Sequence, residues 1–535
     1  MSMPVSFKNY PDAGNFCQRS SCQVKLCIRI YRQKNQARKE NMIKPQFETY
    51  RYVGEICRLK SQSLVECRLP GSEISSILAV HAQAVPGDSA CSDGEVQYGG
   101  RVLLCVVYED GDKKVCRAER GAEFFHKAEG AFIAPSCFAK TSLSTENVTW
   151  RREGSGLYIS IVVDADIIVY GAKQMEYLMG GDGMIVKKGT VGIYKTVSVS
   201  GETEDEDEFD TDYVGDILMH SETAVVNRVN VSGGQIDLEG ELNLNICVLK
   251  SDDSVCSYER LIPFKMSIPS EEAFGKVTAG ARVFVKSARL SAGTDEEKGA
   301  SHIVLSYSLA AECYLVIRDE ISVVEDGFSL SSEMSLKKQN EGGMYLTNQS
   351  KGAERVSGAA VLSPEIDGEY TLQAAVLPRA EIAIKKGERS MEAEGAVLAE
   401  VLLCGTDGTH RSATLTLPFV FPVDVNGDRV EADCMVCGLN VRRKKSGETE
   451  AEATLKLTFR SFEERSWTYI SEMTEGEEYP DNDSGFSVFM TEAGEDLWQV
   501  SKRLSCAPED LKKSNPNLEF PLKEGERIFV YRQIR

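Results

Sequence analysis

Residues able to do chemistry match no catalytic motif in this chain. The five histidines (His81, His126, His220, His302, His410) are scattered, and none sits in an H-E-x-x-H pair. There is no phosphate-binding glycine loop, no dinucleotide fingerprint and no G-x-S-x-G elbow. Sixteen cysteines run along the whole chain rather than crowding a short secreted scaffold, which points to reduced thiols in a cytosol. Cys434-Met435-Val436-Cys437 is a lone C-x-x-C without the second pair that structural zinc requires. On a strand its two thiols point to opposite faces, so buried structural cysteines are expected. Eight carboxylates between Glu202 and Asp212 lack the glycine and spacing of a calcium loop, and the run reads as a solvated loop. No cofactor, metal or catalytic constellation is therefore expected, and a binding or scaffolding role is favoured over an enzyme.

The elements that would carry such a role repeat. Five hundred and thirty-five residues allow several domains. No apolar stretch is long enough to span a bilayer, and a net charge of −21 argues against nucleic acid as a partner. Gly100, Gly240 and Gly395 anchor three copies of one pattern. At +2, +4, +6 and +8 stand Val102, Leu104, Val106 and Tyr108; Leu242, Leu244, Ile246 and Val248; and Val397, Ala399, Val401 and Leu403. That period of two predicts strands with one buried face. Turns follow at Glu109–Asp112, Ser251–Ser254 and Thr406–Thr409, and phenylalanine recurs at +24 as Phe124, Phe264 and Phe419. Upstream, Ile74, Ile77 and Leu78, like Val214, Ile217 and Leu218, have helical spacing, so a short helix is expected in these two copies. Only Leu372 supports it in the third. Gly180-Gly181-Asp182-Gly183 and Glu341-Gly342-Gly343 are the expected breaks between copies.

Residues 1–41 carry eight basic and two acidic residues and show no sustained period. Arg38-Lys39-Glu40 can be encoded by a purine-rich ribosome-binding sequence upstream of Met42, so Met42 is the expected natural start. A basic arm for an acidic partner is the rival reading.

Near the other end, Glu472–Asp483 holds six carboxylates and no base, and reads as a linker. Beyond it the expected order is strand, helix, helix, strand: Phe486, Val488 and Met490 alternate; Leu497, Val500 and Leu504 have helical spacing; Pro508 suits a first helical turn; Ile528-Phe529-Val530 closes the module.

Phe486, Val488, Gly494, Leu497, Trp498, Leu511, Asn515, Pro516, Leu522, Gly525 and Ile528 resemble the LysM pattern. The three copies ahead of it resemble the SPOCS domains of clostridial spore-coat proteins, and together the likeness spans roughly residues 45–535. It implies a mainly β fold: three tandem β-sandwich-like SPOCS domains at 42–184, 185–341 and 342–470, an acidic linker at 471–485, and a small βααβ LysM module at 486–535. It implies a groove for N-acetylglucosamine chains formed by Gly494, Glu495, Asp496, Leu497, Pro516, Asn517 and Leu518. Glu495-Asp496 stands where that family usually has Asp-Thr, which replaces a hydroxyl by an acceptor-only carboxylate, changes the available hydrogen bonds and leaves protein binding open. The implied role is a non-enzymatic scaffold of the endospore coat in the mother-cell cytoplasm, at the forespore surface. Its implied partners are the basement-layer coat ATPase and other coat proteins, with peptidoglycan as the alternative.

Overall fold

Each anchor glycine lies directly opposite the phenylalanine 24 residues later, in the pairs Gly100–Phe124, Gly240–Phe264 and Gly395–Phe419. A Cβ at any of the three would collide with a backbone carbonyl of the neighbouring strand (Val85, Val225 or Glu381). At Gly240 and Gly395 it would also strike the phenylalanine ring. The ring thus covers backbone that only glycine leaves bare, and all three phenylalanines are buried.

The computed structural model describes residues 43–70, 74–153, 156–211, 215–295, 300–366, 369–388, 390–444, 447–480 and 485–531, so the expectation for residues 1–41 and Met42 lies outside the described residues. The chain is mainly β, as expected. The first repeat comprises β1 (Lys44–Pro70), β2 (Ile74–Pro86), β3 (Ala90–Ser92), β4 (Glu95–Asp110), β5 (Val115–Glu129), β6 (Phe138–Glu153) and β7 (Gly156–Asp182). The second has β8 (Ile185–Thr211), β9 (Gly215–Ser232), β10 (Gln235–Lys250), β11 (Val255–Pro269), β12 (Val277–Asp295) and β13 (Ala300–Phe328). The third has β14 (Ser332–Ser363), β15 (Tyr370–Lys386), β16 (Met391–Gly405), β17 (His410–Val423), β18 (Arg429–Arg443) and β19 (Thr449–Glu478). In every repeat the first strand pairs antiparallel with the last, which also takes the strand preceding it; the orders are β1-β7-β6, β8-β13-β12 and β14-β19-β18. The middle three strands form a meander, β2-β4-β5, β9-β10-β11 or β15-β16-β17. One apolar cluster fills each repeat; the +2, +4 and +6 residues are all buried, and all but Ala399 belong to it.

The expected helices are strands. Ile74, Ile77 and Leu78 lie in β2, and Ile217 and Leu218 in β9; Val214 is outside the described residues. The strand register skips Leu78, Leu218 and, in the third repeat, Gln373, each 22 residues before its anchor. Such a bulge turns two successive side chains to one side, so Leu78-Ala79 and Leu218-Met219 are both buried. Bulged strands thereby imitate helical spacing.

The three repeats share cores. Leu78, Ala79, Val107 and Val115 pack in one cluster with Leu218, Met219, Cys247 and Val255 and with Ala374, Val376, Leu377 and Leu402. Val107, Cys247 and Leu402 all stand at +7, on the face of the strand opposite the repeat's own core. The joining contacts run in one sense: Arg117 donates to the Ile217 carbonyl at 2.7 Å, Val255 N–H to Gln373 Oε1 at 3.3 Å, and Ser412 to the Ile77 carbonyl at 3.3 Å. Repeat 1 thus meets 2, 2 meets 3 and 3 meets 1, and Arg117 and Ser412 are both +17 residues reaching −23 carbonyls. The repeats form a ring with pseudo-threefold contacts. Farther along, Arg58, Ser142, Arg282, Glu431, Asp433 and Arg460 link all three repeats through polar contacts. Beyond them the paired ends of β1/β7, β8/β13 and β14/β19 enclose Tyr52, Met175, Tyr177, Ile193, Val316, Val323, Tyr345 and Trp467.

Three further expectations are corrected. Glu341-Gly342-Gly343 lies inside β14, and the second break falls between Phe328 and Ser332. Glu202–Thr211 is strand paired to β13, not loop. There the pleat sets Phe209 in the core, while the partly covered Asp207 is held by Arg260 at 2.7 Å and Glu202 by Lys286 at 2.7 Å. Inward or paired charge on an edge strand also discourages pairing with other chains. The expected linker is strand through Glu478, because Ser332–Lys337 pairs with Glu472–Glu478. Cys434 and Cys437 do face opposite sides of β18, with burial pushing both thiols up to about 12. Among the described residues no group of His, Cys, Asp or Glu is arranged to hold a metal ion.

Candidate docking site

The C-terminal module is built from β20 (Phe486–Met490), α1 (Leu497–Arg503), α2 (Pro508–Ser514) and β21 (Arg527–Tyr531). Asp496 caps α1: its carboxylate accepts from Gln499 N–H at 2.7 Å, and the Gln499 side chain accepts from Asp496 N–H at 2.8 Å. Pro508 occupies the first turn of α2, where its missing N–H costs nothing. Asn515 explains the Asn-Pro step. Its amide donates to the Leu511 and Phe529 carbonyls at 2.8 and 2.7 Å and accepts from Phe529 N–H at 2.8 Å, locking α2 to the last strand. Val500, Leu504, Leu511, Leu522, Ile528 and Val530 form the core.

The seven candidate groove residues are placed as follows. Gly494 has φ +86°, open space at its missing Cβ, and an N–H that donates to the Leu522 carbonyl at 2.9 Å. Glu495 is committed internally: Arg503 holds both carboxylate oxygens at 2.8 Å, and Glu492 N–H donates to one of them. Burial alone would raise its pKa, but Arg503 and that N–H hold it below the ordinary value. Asp496 is the cap just described. Leu497 and Leu518 pack against the same module core and are only partly exposed, whereas Pro516 and Asn517 face solvent. The two acids are therefore not free to seek a basic patch on a partner, and the two leucines serve the fold as well as the surface.

Sequence reasoning missed the feature that stands out. The outer face of the two-stranded sheet exposes Phe486, Val488 and Met490 from β20 and Phe529 and Tyr531 from β21, each between 38 and 62% accessible. Phe486 pairs with Tyr531 and Val488 with Phe529, and Phe486 stacks on Phe529 with ring centres 5.8 Å apart. The helices cover the other face through Phe489, Ile528 and Val530. A contiguous apolar strip of this kind on an otherwise acidic protein is the mark of an interaction surface.

Trp498, one of the pattern residues, is neither core nor groove. Its indole donates to Asp326 Oδ2 at 2.9 Å and meets the Phe328 ring edge-on at 5.3 Å, while Lys502 pairs with Asp326 Oδ1 at 2.6 Å. Spaced i, i+4, the two residues fasten one flank of α1 to the last residues of β13. A cleft of about 610 Å³ lies beside this latch, lined by Lys187, Asp326, Lys338, Trp498 and Lys502 among others. Burial would raise the Asp326 pKa, but Lys502, Trp498 and the Gly327 N–H together hold it below the ordinary value. Neither partner of the latch is close in sequence, so no local signal announces it. Comparison with protein-family models, with curated proteins and with solved structures found no match to this chain.

Proposed function

We propose that the protein is a non-enzymatic scaffold whose C-terminal module docks another protein through the outer face of β20–β21. The observation that carries this reading is the exposed strip Phe486, Val488, Met490, Phe529 and Tyr531. It offers aromatic anchors with few rotatable bonds, the kind that dominate protein interfaces. The internal commitment of Glu495 and Asp496 supports it too, since these groups have little capacity left for sugar hydroxyls. In this reading the body is three β-sandwich-like SPOCS domains closed into one ring, followed by a βααβ LysM module. The resemblance to clostridial spore-coat morphogenetic proteins supplies the setting: coat assembly in the mother-cell cytoplasm at the forespore surface, with the basement-layer coat ATPase docking on the module and other coat proteins on the ring. The experiment is recovery of partners from sporulating cells by the full chain and by a chain ending before Phe486. The ATPase should be retained by the first and lost by the second.

Peptidoglycan is the second reading, favoured by the solvent-facing Pro516 and Asn517 and by the open Gly494 turn. It requires measurable affinity of the full chain for N-acetylglucosamine oligomers in calorimetry.

A further inference from the structure

Beside the shared apolar cluster, the interface between repeats 3 and 1 carries a polar pair where its two counterparts do not. Glu109 (+9 in repeat 1) and His410 (+15 in repeat 3) are both buried, at 2 and 7% exposure. Glu109 Oε2 accepts from His410 N–H at 2.7 Å and lies 3.0 Å from His410 Nδ1. His410 Nε2 is buried with no hydrogen-bond partner among the described residues. At the matching positions of the other two interfaces stand Val115 with Leu249, and Val255 with Cys404. Val115 and Val255 belong to the shared apolar cluster and Leu249 packs against it, while burial raises the Cys404 thiol pKa. The odd interface is also the one that joins repeats not consecutive in the chain.

We infer that the Glu109–His410 pair is a registry element that tells the repeats which neighbour to accept. All three interfaces meet on the one shared apolar cluster, so a repeat's leading edge could dock there on any repeat's receiving edge, in the same chain or in a second copy; the contacts of Asn243 with the Val436 carbonyl and of Lys456 with Glu241, between repeats 2 and 3, lie outside that cluster. Nine such pairings exist: three are native and six are wrong. Docking repeat 1 or 2 on the receiving edge of repeat 1 buries Glu109 against valine. Docking repeat 3 on repeat 2 or 3 buries His410 against leucine or cysteine. A buried polar group left without its partner is strongly penalised, so the pair disfavours four of the six wrong pairings. A polar pair in an apolar interface specifies register elsewhere by the same logic. The partner held off is a second copy of this chain, which could otherwise exchange repeats head to tail.

The test refolds the full chain from denaturant over a range of concentrations and measures monomer yield by size-exclusion chromatography with light scattering. Mixing two fluorophore-labelled populations before refolding reports cross-chain pairing. E109L/H410V removes the polar pair, so that the +9/+15 contact is without it at all three interfaces. It should give several-fold less monomer than wild type at high concentration, with energy transfer between chains, and approach wild-type yield on dilution. E109Q keeps the acceptor for His410 and should refold like wild type. Wild-type monomer yield from E109L/H410V at every concentration would overturn the inference. So would an E109L/H410V chain that fails to fold even at the highest dilution, because the pair would then be needed for stability rather than for choice of neighbour. Loss of monomer by E109Q equal to that of E109L/H410V would do the same.

Discussion

Phe264 and Phe419 lie across from glycines and are 3 and 7% exposed, so truncation leaves a void that backbone alone cannot fill. Phe264→Ala or Phe419→Ala should cost about 3–5 kcal/mol, read as a lower denaturant midpoint for the body. This much of the fold was legible, because a period of two and a fixed Gly-to-Phe offset are both local. Leu518→Ala has a different expected outcome from that of a pure contact residue. Its side chain packs against the module core, so the variant should lower the melting temperature of the module as well as any partner affinity. Asp326 carries a pH prediction. Its pKa is depressed in the folded state, so its contribution to the latch is present above the ordinary aspartate value of 3.8 and is lost as pH falls through the depressed value. Tryptophan emission of the full chain should show a transition in that acid window which Asp326→Asn removes. An unchanged profile in the variant would mean that the latch does not form in solution.

Among the elements, the sequence misled wherever two patterns coincide. The bulges at Leu78 and Leu218 place two successive side chains inward, which reads as helical spacing until the partner strand is known. Composition marked Glu202–Asp212 and Glu472–Asp483 as hydrated, and most of the described carboxylates there are indeed outward, but hydration does not forbid a strand whose partner lies 90 or more residues away. A consequence is that limited proteolysis should spare the bonds of Glu472–Glu478 while the ring is folded; early cleavage there would contradict the pairing with β14. In the module, the alternation of Phe486, Val488 and Met490 was legible as a strand. Which face it would leave bare was not, because that depends on where the two helices settle.

At the scale of the whole molecule, the three repeats are joined into a ring by the clusters they share. Its signal in sequence is faint: one apolar residue at +7 in each repeat, on the side of the strand that the alternation marks as outward. The polar belt binds the repeats further, since Asp433 holds both Arg460, whose side chain is 1% exposed, and, at 3.2 Å, Arg282 of the second repeat. Asp433→Asn leaves Arg460 only the more distant Glu431, at 3.7 Å, and should destabilise the ring by on the order of 3–5 kcal/mol, in a single transition shared by all three repeats. Separate melting steps would argue for independent domains. The latch to β13 holds the module by the flank of α1 and leaves its apolar strip uncovered. The most direct measurement of the docking claim is the affinity of the full chain for the basement-layer coat ATPase, with N-acetylglucosamine oligomers titrated in parallel. The expected result is that Val488→Glu weakens ATPase binding by about 1–2 kcal/mol or more, that Glu495→Asp with Asp496→Thr changes it little, and that the oligomers do not bind. Tight oligomer binding by the wild type, with ATPase binding absent or untouched by Val488→Glu, would contradict it.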